Sequence, residues 1–258
     1  MDRLPKNLES LLIGCSWEEI TIGCSESNTF RVKGDNYHQF LKIQSINAKE
    51  KLLNEKECLE WLQGKLPVPK VLYYEQDDIN EYLLISEIAG KDASVEIDKT
   101  ASVPDLMKQL ALGLKMIHSI KIDQCPFDQT VQKKLEEARL RVEKGLVNED
   151  DFDEERKGIP SDVLFQHLKD SVPKDEDLVF AHGDYCLPNI ILQNGKINGF
   201  IDMGRAGISD RYQDLALAVR SITYNFGKEM LPYFFNEYGM QRYDKAKINF
   251  YQLMDEFF

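Results

Sequence analysis

Long apolar runs, basic charge, paired cysteines and glycine-rich phosphate loops are all scarce in this sequence. Each shortage removes a class of function. No stretch approaches the roughly 18 consecutive apolar residues that a membrane span requires, and the opening Met1-Asp-Arg-Leu-Pro-Lys6 lacks the apolar core of a secretory signal. The five cysteines (Cys15, Cys24, Cys58, Cys125, Cys186) are scattered, odd in number and form no C-x-x-C. They argue for a reducing cytoplasm and against a disulfide or zinc framework. Basic side chains number 32 against 44 acidic ones, for a net charge of −12. Nucleic acid needs a basic footprint and is not an expected partner, nor is a membrane. A cationic small molecule, by contrast, would be drawn in electrostatically. Neither G-x-G-x-x-G nor a P-loop occurs, so a nucleotide would have to be held by another kind of loop.

The remaining composition is that of an ordinary globular protein: 258 residues, 43% hydrophobic and 29% charged. That length allows one large domain or two lobes. The chain is organised around Val179-Phe-Ala-His-Gly-Asp-Tyr-Cys-Leu-Pro-Asn-Ile-Ile-Leu192 and Gly199-Phe-Ile-Asp-Met-Gly204. A short apolar strand breaks at His182-Gly183-Asp184 and a second resumes at Ile190. Asn194-Gly195 is a strong hairpin turn, after which Ile197 to Ile201 returns and ends in Asp202. If these strands pair, Asp184, Asn189 and Asp202 can converge as hard oxygen donors of the kind Mg²⁺ prefers.

Upstream, Leu4, Leu8, Leu11 and Leu12 predict a helix within residues 1–13, followed by strands from Trp17 to Ile43 with turns at Cys24–Asn28 and Gly34–Asn36. Lys42 lies on the strand Phe40-Leu-Lys-Ile43, and Asn47 to Gln63 reads as an amphipathic helix carrying both Glu55 and Glu57. Glu81 to Ile85 is a buried strand running into Ser86-Glu87-Ile88-Ala89-Gly90. Helices are expected over Pro104–Ser119, Thr130–Val147 and Asp162–Lys169, and from Ser209 or Asp210 through Ile222. His118 reads as structural. The run Asn148-Glu-Asp-Asp-Phe-Asp-Glu-Glu155 holds six carboxylates, which by default make a solvated face.

The pattern H-x-D-x-x-x-x-N followed by D-x-G, here His182, Asp184, Asn189 and Asp202-Met-Gly204, resembles the catalytic and metal loops of the protein-kinase superfamily. His-Gly-Asp looks like its small-molecule branch. Leu66-Pro-Val-Pro-Lys-Val-Leu72, Gly204-Arg205, Asp210-Arg-Tyr-Gln-Asp214 and the terminal Asp-Glu-Phe-Phe extend the similarity to aminoglycoside 3′-phosphotransferases over essentially the whole chain. That resemblance implies an α+β, bilobal protein-kinase-like fold. Residues 1–89 would be a nucleotide-binding lobe with an antiparallel sheet and a helix, and residues 90–258 a mainly helical catalytic and substrate lobe. It implies Mg²⁺-ATP as cofactor, with Lys42, held in place by Glu55, on the α/β-phosphates and Ser25 in the nucleotide loop. Phe40 would stack on adenine or belong to the core, and the backbone of Ser86, Glu87 and Ile88 would read the adenine edge. Asn189 and Asp202 would hold the metal, Asp184 would serve as catalytic base, and Asp214 would brace the catalytic loop. The acceptor would be an aminoglycoside such as kanamycin, met by Asp151, Asp153, Glu154, Asp184, Arg205, Arg220, Glu256 and the carboxylate of Phe258. A monomer is expected, with a dimer as the alternative. One departure stands out: Ser221-Ile-Thr-Tyr224 carries no acid beside Arg220. Two other classes compete, a kinase of an ordinary amine or sugar metabolite and a catalytically silent nucleotide-binding module. The second would have lost the lysine, base or metal ligands, and all are present.

Overall fold

The computed structural model of the protein describes residues 4–20, 26–35, 37–95 and 102–258. The chain divides into two compact units, Met1–Gly90 with Asn198–Gly204, and Lys91–Ile197 with Arg205–Phe258. Sheet and helix occupy largely separate stretches, which makes the class α+β.

The first unit opens with α1 (Lys6–Leu11) and the strands β1 (Ser16–Ile20), β2 (Asn28–Lys33) and β3 (His38–Ser45). It continues through α2 (Leu52–Leu62), β4 (Val71–Gln76) and β5 (Asn80–Ser86). Among the described residues these five strands form one sheet in the order β1-β2-β3-β5-β4, and each pairing is antiparallel. The two-residue period of a strand decides what each face of β3 does. Leu41 and Ile43 pack with Leu8 and Leu12 of α1, Val32, Tyr82 and Leu84. Phe40, Lys42 and Gln44 therefore point to the opposite face.

The helix expected over residues 47–63 begins at Leu52, because a buried acid from another strand caps it there. Glu81 on β5, 1% exposed, accepts the N–H groups of Leu52 (3.3 Å) and Leu53 (3.2 Å). A carboxylate at that end satisfies open donors and complements the helix dipole. Gln44 Nε2 and the Tyr74 hydroxyl also donate to Glu81.

The second unit contains β6 (Lys91–Asp92), α3 (Val103–His118), α4 (Val131–Glu143), α5 (Ser161–Asp170), β7 (Leu178–Ala181) and β8 (Ile190–Gln193). Strand β9 (Lys196–Phe200) carries the chain back into the first unit, and β10 (Gly207–Asp210), α6 (Tyr212–Phe226), α7 (Leu231–Tyr238) and α8 (Lys245–Asp255) complete the second. Helix α3 has a Ser102 cap, whose hydroxyl accepts from Asp105 N, and it buries Leu106, Leu110, Leu114 and Ile117. Helix α4 stops short of the expected Val147 at Gly145, which has φ +63°. The Asn194-Gly195 turn has both residues at positive φ, 53° and 72°, as a type I′ hairpin requires. Asp210 starts α6 by accepting the Tyr212 N–H at 2.9 Å. Its other oxygen meets Lys247 Nζ of α8 at 2.8 Å. The two helices α7 and α8 lie beyond the last helix read from the sequence, and α6·α8 and α3·α7 packing makes them part of this unit's core.

Candidate active site

The loop after β7 is held in place from behind. His182 is fully buried and Asp214, in the first turn of α6, is also fully buried. The Asp214 carboxylate accepts the N–H of His182 at 2.8 Å on Oδ2 and that of Gly183 at 2.9 Å on Oδ1. His118 Nε2 donates to the same Oδ2 at 3.0 Å, with its Nδ1 2.7 Å from the Tyr238 hydroxyl. Burial alone would push the Asp214 carboxyl up, but the His118 hydrogen bond and the neighbouring imidazoles outweigh it and hold it below the usual range. His118 is thus structural, as its place near a helix end suggested. Gln213 Nε2 donates to the Gly183 carbonyl at 3.1 Å. Further along, the buried Tyr185 donates to the Leu110 carbonyl at 2.6 Å, and the Leu187 N–H meets Ser221 Oγ at 3.2 Å.

Gly183 has φ +88°, and a Cβ built on it would come within 2.1 Å of the Arg205 carbonyl oxygen. No side chain fits there, which accounts for the glycine at this position. The loop then presents Asp184, half-buried. Asn189 Nδ2 donates to Asp184 Oδ2 at 2.8 Å and to its carbonyl at 3.0 Å. With its amide nitrogen so engaged, Asn189 turns its oxygen the other way, as an acceptor.

In the first unit, Lys42 Nζ lies 2.9 and 2.7 Å from the two Glu55 oxygens and 2.9 Å from Asp202 Oδ1. Of the two candidate glutamates on α2, Glu55 is buried and Glu57 faces solvent. Burial disfavours the Lys42 ammonium, yet the Asp202 and Glu55 carboxylates more than offset this and hold its pKa above the ordinary value. Burial raises the Glu55 carboxyl, and the Lys42 charge compensates only in part. Asp202 has φ +62°, a left-handed conformation that an L-residue adopts at a cost. Among the described residues no three His, Cys, Asp or Glu side chains cluster in a metal-holding arrangement. Asp202 in the first unit and Asn189 in the second each offer a hard oxygen of the kind Mg²⁺ prefers.

Phe40 is half-buried, on the Lys42 face and outside the cluster around Leu41. In the segment after β5 two backbone donors are already engaged. Ser86 N–H donates to the Lys70 carbonyl (2.9 Å) and Glu87 N–H to the His38 carbonyl (3.3 Å), so both donors already serve the sheet. The Glu87 carboxylate is held by Arg31 and by His38 Nδ1 at 3.1 Å. Among the described residues the Ile88 N–H has no protein acceptor. Ser25 lies outside the described residues.

The expected substrate residues separate into two groups. Asp153, Glu256, Arg220 and Arg205 belong to one network in the second unit. The Asp153 N–H meets Glu256 Oε2 at 3.1 Å, Arg220 Nη1 lies 3.5 Å from Asp153 Oδ2, and Arg205 Nη1 lies 3.6 Å from Asp255 Oδ1. Arg220 also pairs with Asp255. Burial would raise the Asp255 carboxyl, but Arg220 and Arg205 hold it low. Asp151 and Glu154 are not brought into this network: Asp151 accepts from Asn148 Nδ2 at 2.6 Å, and Glu154, 84% exposed, pairs with Lys157. Phe258 closes the chain with its ring 4.4 Å from the Arg141 guanidinium and 4.8 Å from Lys134 Nζ. Sequence reasoning missed Asp255 and Arg156. Asp255 stood in the same acidic tail as Glu256, but Arg156 gave no signal apart from its place in a charged run.

Residues 16–251 match the phosphotransferase enzyme family, and the chain belongs to that family. Among relatives, it is 41% identical to the aminoglycoside 3′-phosphotransferase of Niallia circulans, over 98% of this chain and 97% of that one. Among solved structures, an aminoglycoside-3′-phosphotransferase of type VIII superposes with a TM-score of 0.88 at 32% identity, covering 98% and 97% of the two chains. The aminoglycoside phosphotransferase APH(3'')-Id from Streptomyces rimosus, in complex with ADP and streptomycin, gives a TM-score of 0.84 at 27% identity, covering 97% and 95%. The fold is therefore the protein-kinase-like α+β fold of these enzymes.

Proposed function

We propose that the protein transfers the γ-phosphoryl group of ATP to the 3′-hydroxyl of an aminoglycoside antibiotic of the kanamycin or neomycin type, in the cytoplasm, and so confers resistance. The observation that carries this reading is the 41% identity, over nearly the full length of both chains, to an aminoglycoside 3′-phosphotransferase. Every residue type the reaction needs is present: the Lys42–Glu55 pair, Asp202, and the Asp184–Asn189 pair on a loop braced by Asp214.

Each group then has a task. The Lys42 ammonium, kept charged by its carboxylate neighbours, neutralises the nucleotide phosphates. Ile88, with its N–H uncommitted, is the position suited to read the adenine edge, with Phe40 against the ring. Asp202 and the Asn189 oxygen are the donors for Mg²⁺, which when bound supplies charge neutralisation on the phosphates. Asp184 orients the acceptor hydroxyl and takes its proton as the new oxygen–phosphorus bond forms and the bond to ADP breaks. Positioning and charge neutralisation carry the catalysis, and no covalent intermediate is required. On the acceptor side, Asp153, Asp255 and Glu256 supply carboxylates for ammonium groups.

The test is steady-state ADP release with Mg²⁺-ATP and a panel of kanamycin, neomycin, tobramycin (which lacks the 3′-hydroxyl), choline and no acceptor. Turnover with kanamycin and none with tobramycin is expected. Turnover with choline alone would keep the family and discard the antibiotic.

A further inference from the structure

Three guanidinium groups and three carboxylates alternate at the end of α8, all in the second unit. Arg205 meets Asp255, Arg220 meets Asp255 and Asp153, and Arg156 meets Asp153 and Glu256. Arg156 is the least exposed of the three arginines. Its Nη1 lies 2.8 Å from Glu256 Oε1 and 3.1 Å from Asp153 Oδ2, with the Glu256 side chain 4% and the Arg156 side chain 15% exposed. Two carboxylates brought together repel one another, and a cation between them relieves that repulsion.

We propose that Arg156 is a positioning residue for acceptor binding: seated between Asp153 and Glu256, it holds both carboxylates turned to one place, where together they take an ammonium group. This rests on the reading that the acceptor is a polyamine. The groups facing Glu256 are Asp153 and Arg156 from the acidic loop, Arg220 from α6 and Asp255 from its own chain end, with Lys134 and Arg141 of α4 reaching the adjoining Phe258 ring. Burial, then the Asp153 charge, push the Glu256 carboxyl up to about 7, against the pull of the Asp153 N–H and Arg156. Without Arg156 it rises further, and the acceptor meets a neutral acid at a pH where the native protein presents a charge. The sequence offers Arg156 as the only cation inside the stretch from Asn148 to Arg156.

Arg156→Gln and Arg156→Lys are compared with the native protein for the KM of kanamycin across pH, using the ratio of variant to native so that ionisation of the drug cancels. A rise of one pKa unit gives a ratio approaching roughly tenfold near about pH 6 that falls to about one near about pH 9. The kcat and the nucleotide KM are expected to stay put, and lysine to restore most of the loss. A ratio that does not vary with pH would make Arg156 a merely structural tie. A ratio below one would make it a competitor of the acceptor. Either overturns the proposal. Carbon-13 NMR of glutamate carboxylates, with Glu256 assigned by its absence in Glu256→Gln, follows its titration without any acceptor. An unmoved Glu256 in Arg156→Gln also overturns the proposal. Failure of native protein to phosphorylate kanamycin, by contrast, would count against the proposed function while the titration still answers for Arg156.

Discussion

The carbonyl oxygen of Arg205 occupies the space where a side chain on Gly183 would begin, 2.1 Å from the nearest possible Cβ. Gly183→Ala therefore combines a steric clash with a backbone at φ +88°. Strain of this type costs about 1–3 kcal/mol before the clash is counted. The expected result is a lower urea midpoint together with a large loss of kcat, because the two neighbours that move are those carrying His182 and Asp184. Unchanged stability would mean that the Arg205 backbone yields easily.

Asp184→Asn keeps the shape of the side chain and removes its ability to take a proton. Turnover is expected to fall by roughly 10²- to 10⁴-fold, the usual worth of a general base. The nucleotide KM should change little, since Lys42 and Glu55 are untouched. Native-like turnover in this variant would end the assignment of Asp184 as base.

Asp214→Asn removes the charge that accepts three N–H donors behind the loop. Breaking a buried, paired charge costs about 3–5 kcal/mol. Amide hydrogen exchange at His182 and Gly183 should quicken more than the global loss of stability explains. Equal protection of both amides in the variant would show that Gln213 and Tyr185 suffice to hold the loop.

Glu256 gives a pH dependence whose sign can be worked out. Its carboxyl titrates near the ordinary 4.5 when unfolded and at about 7 when folded. Between those values the folded state binds more protons than the unfolded one, so this group's contribution to stability falls as pH rises through the window. Compared with Glu256→Gln, the native protein should lose ground in urea midpoint from about pH 4.5 to about 7 and hold a constant offset above that. A difference that is flat across the window would place the titration elsewhere.

What the sequence disclosed depended on how local each signal was. Helix α3 was legible to within a residue, because its leucines recur at helical spacing and Pro104 marks its start. The His182-to-Asn189 loop and Asp202 were legible as a pattern of residue types. The contacts that decide boundaries and alignments were not. Glu81 caps α2 from 29 and 28 residues away, and Arg156 reaches Glu256 across 100. Neither spacing leaves a periodic trace. Glu154 looked equivalent to Asp153 in a run of acids, and only the backbone turns decide that one faces the network while the other faces solvent. That the N–H groups of Ser86 and Glu87 are taken by the Lys70 and His38 carbonyls escaped the sequence for a related reason, since such pairing cannot be read from residue type.

The capping of α2 by Glu81 has a consequence beyond the helix. That one buried carboxylate accepts from Leu52, Leu53, Gln44 and Tyr74, and so fastens the helix bearing Glu55 to the sheet bearing Lys42. Swinging the helix aside would leave a buried acid without its donors, so the chain has no comfortable resting position for Glu55. The Lys42–Glu55 pair thus inherits its alignment from a carboxylate that touches neither residue, and a cap lost at Glu81 would be felt at Lys42.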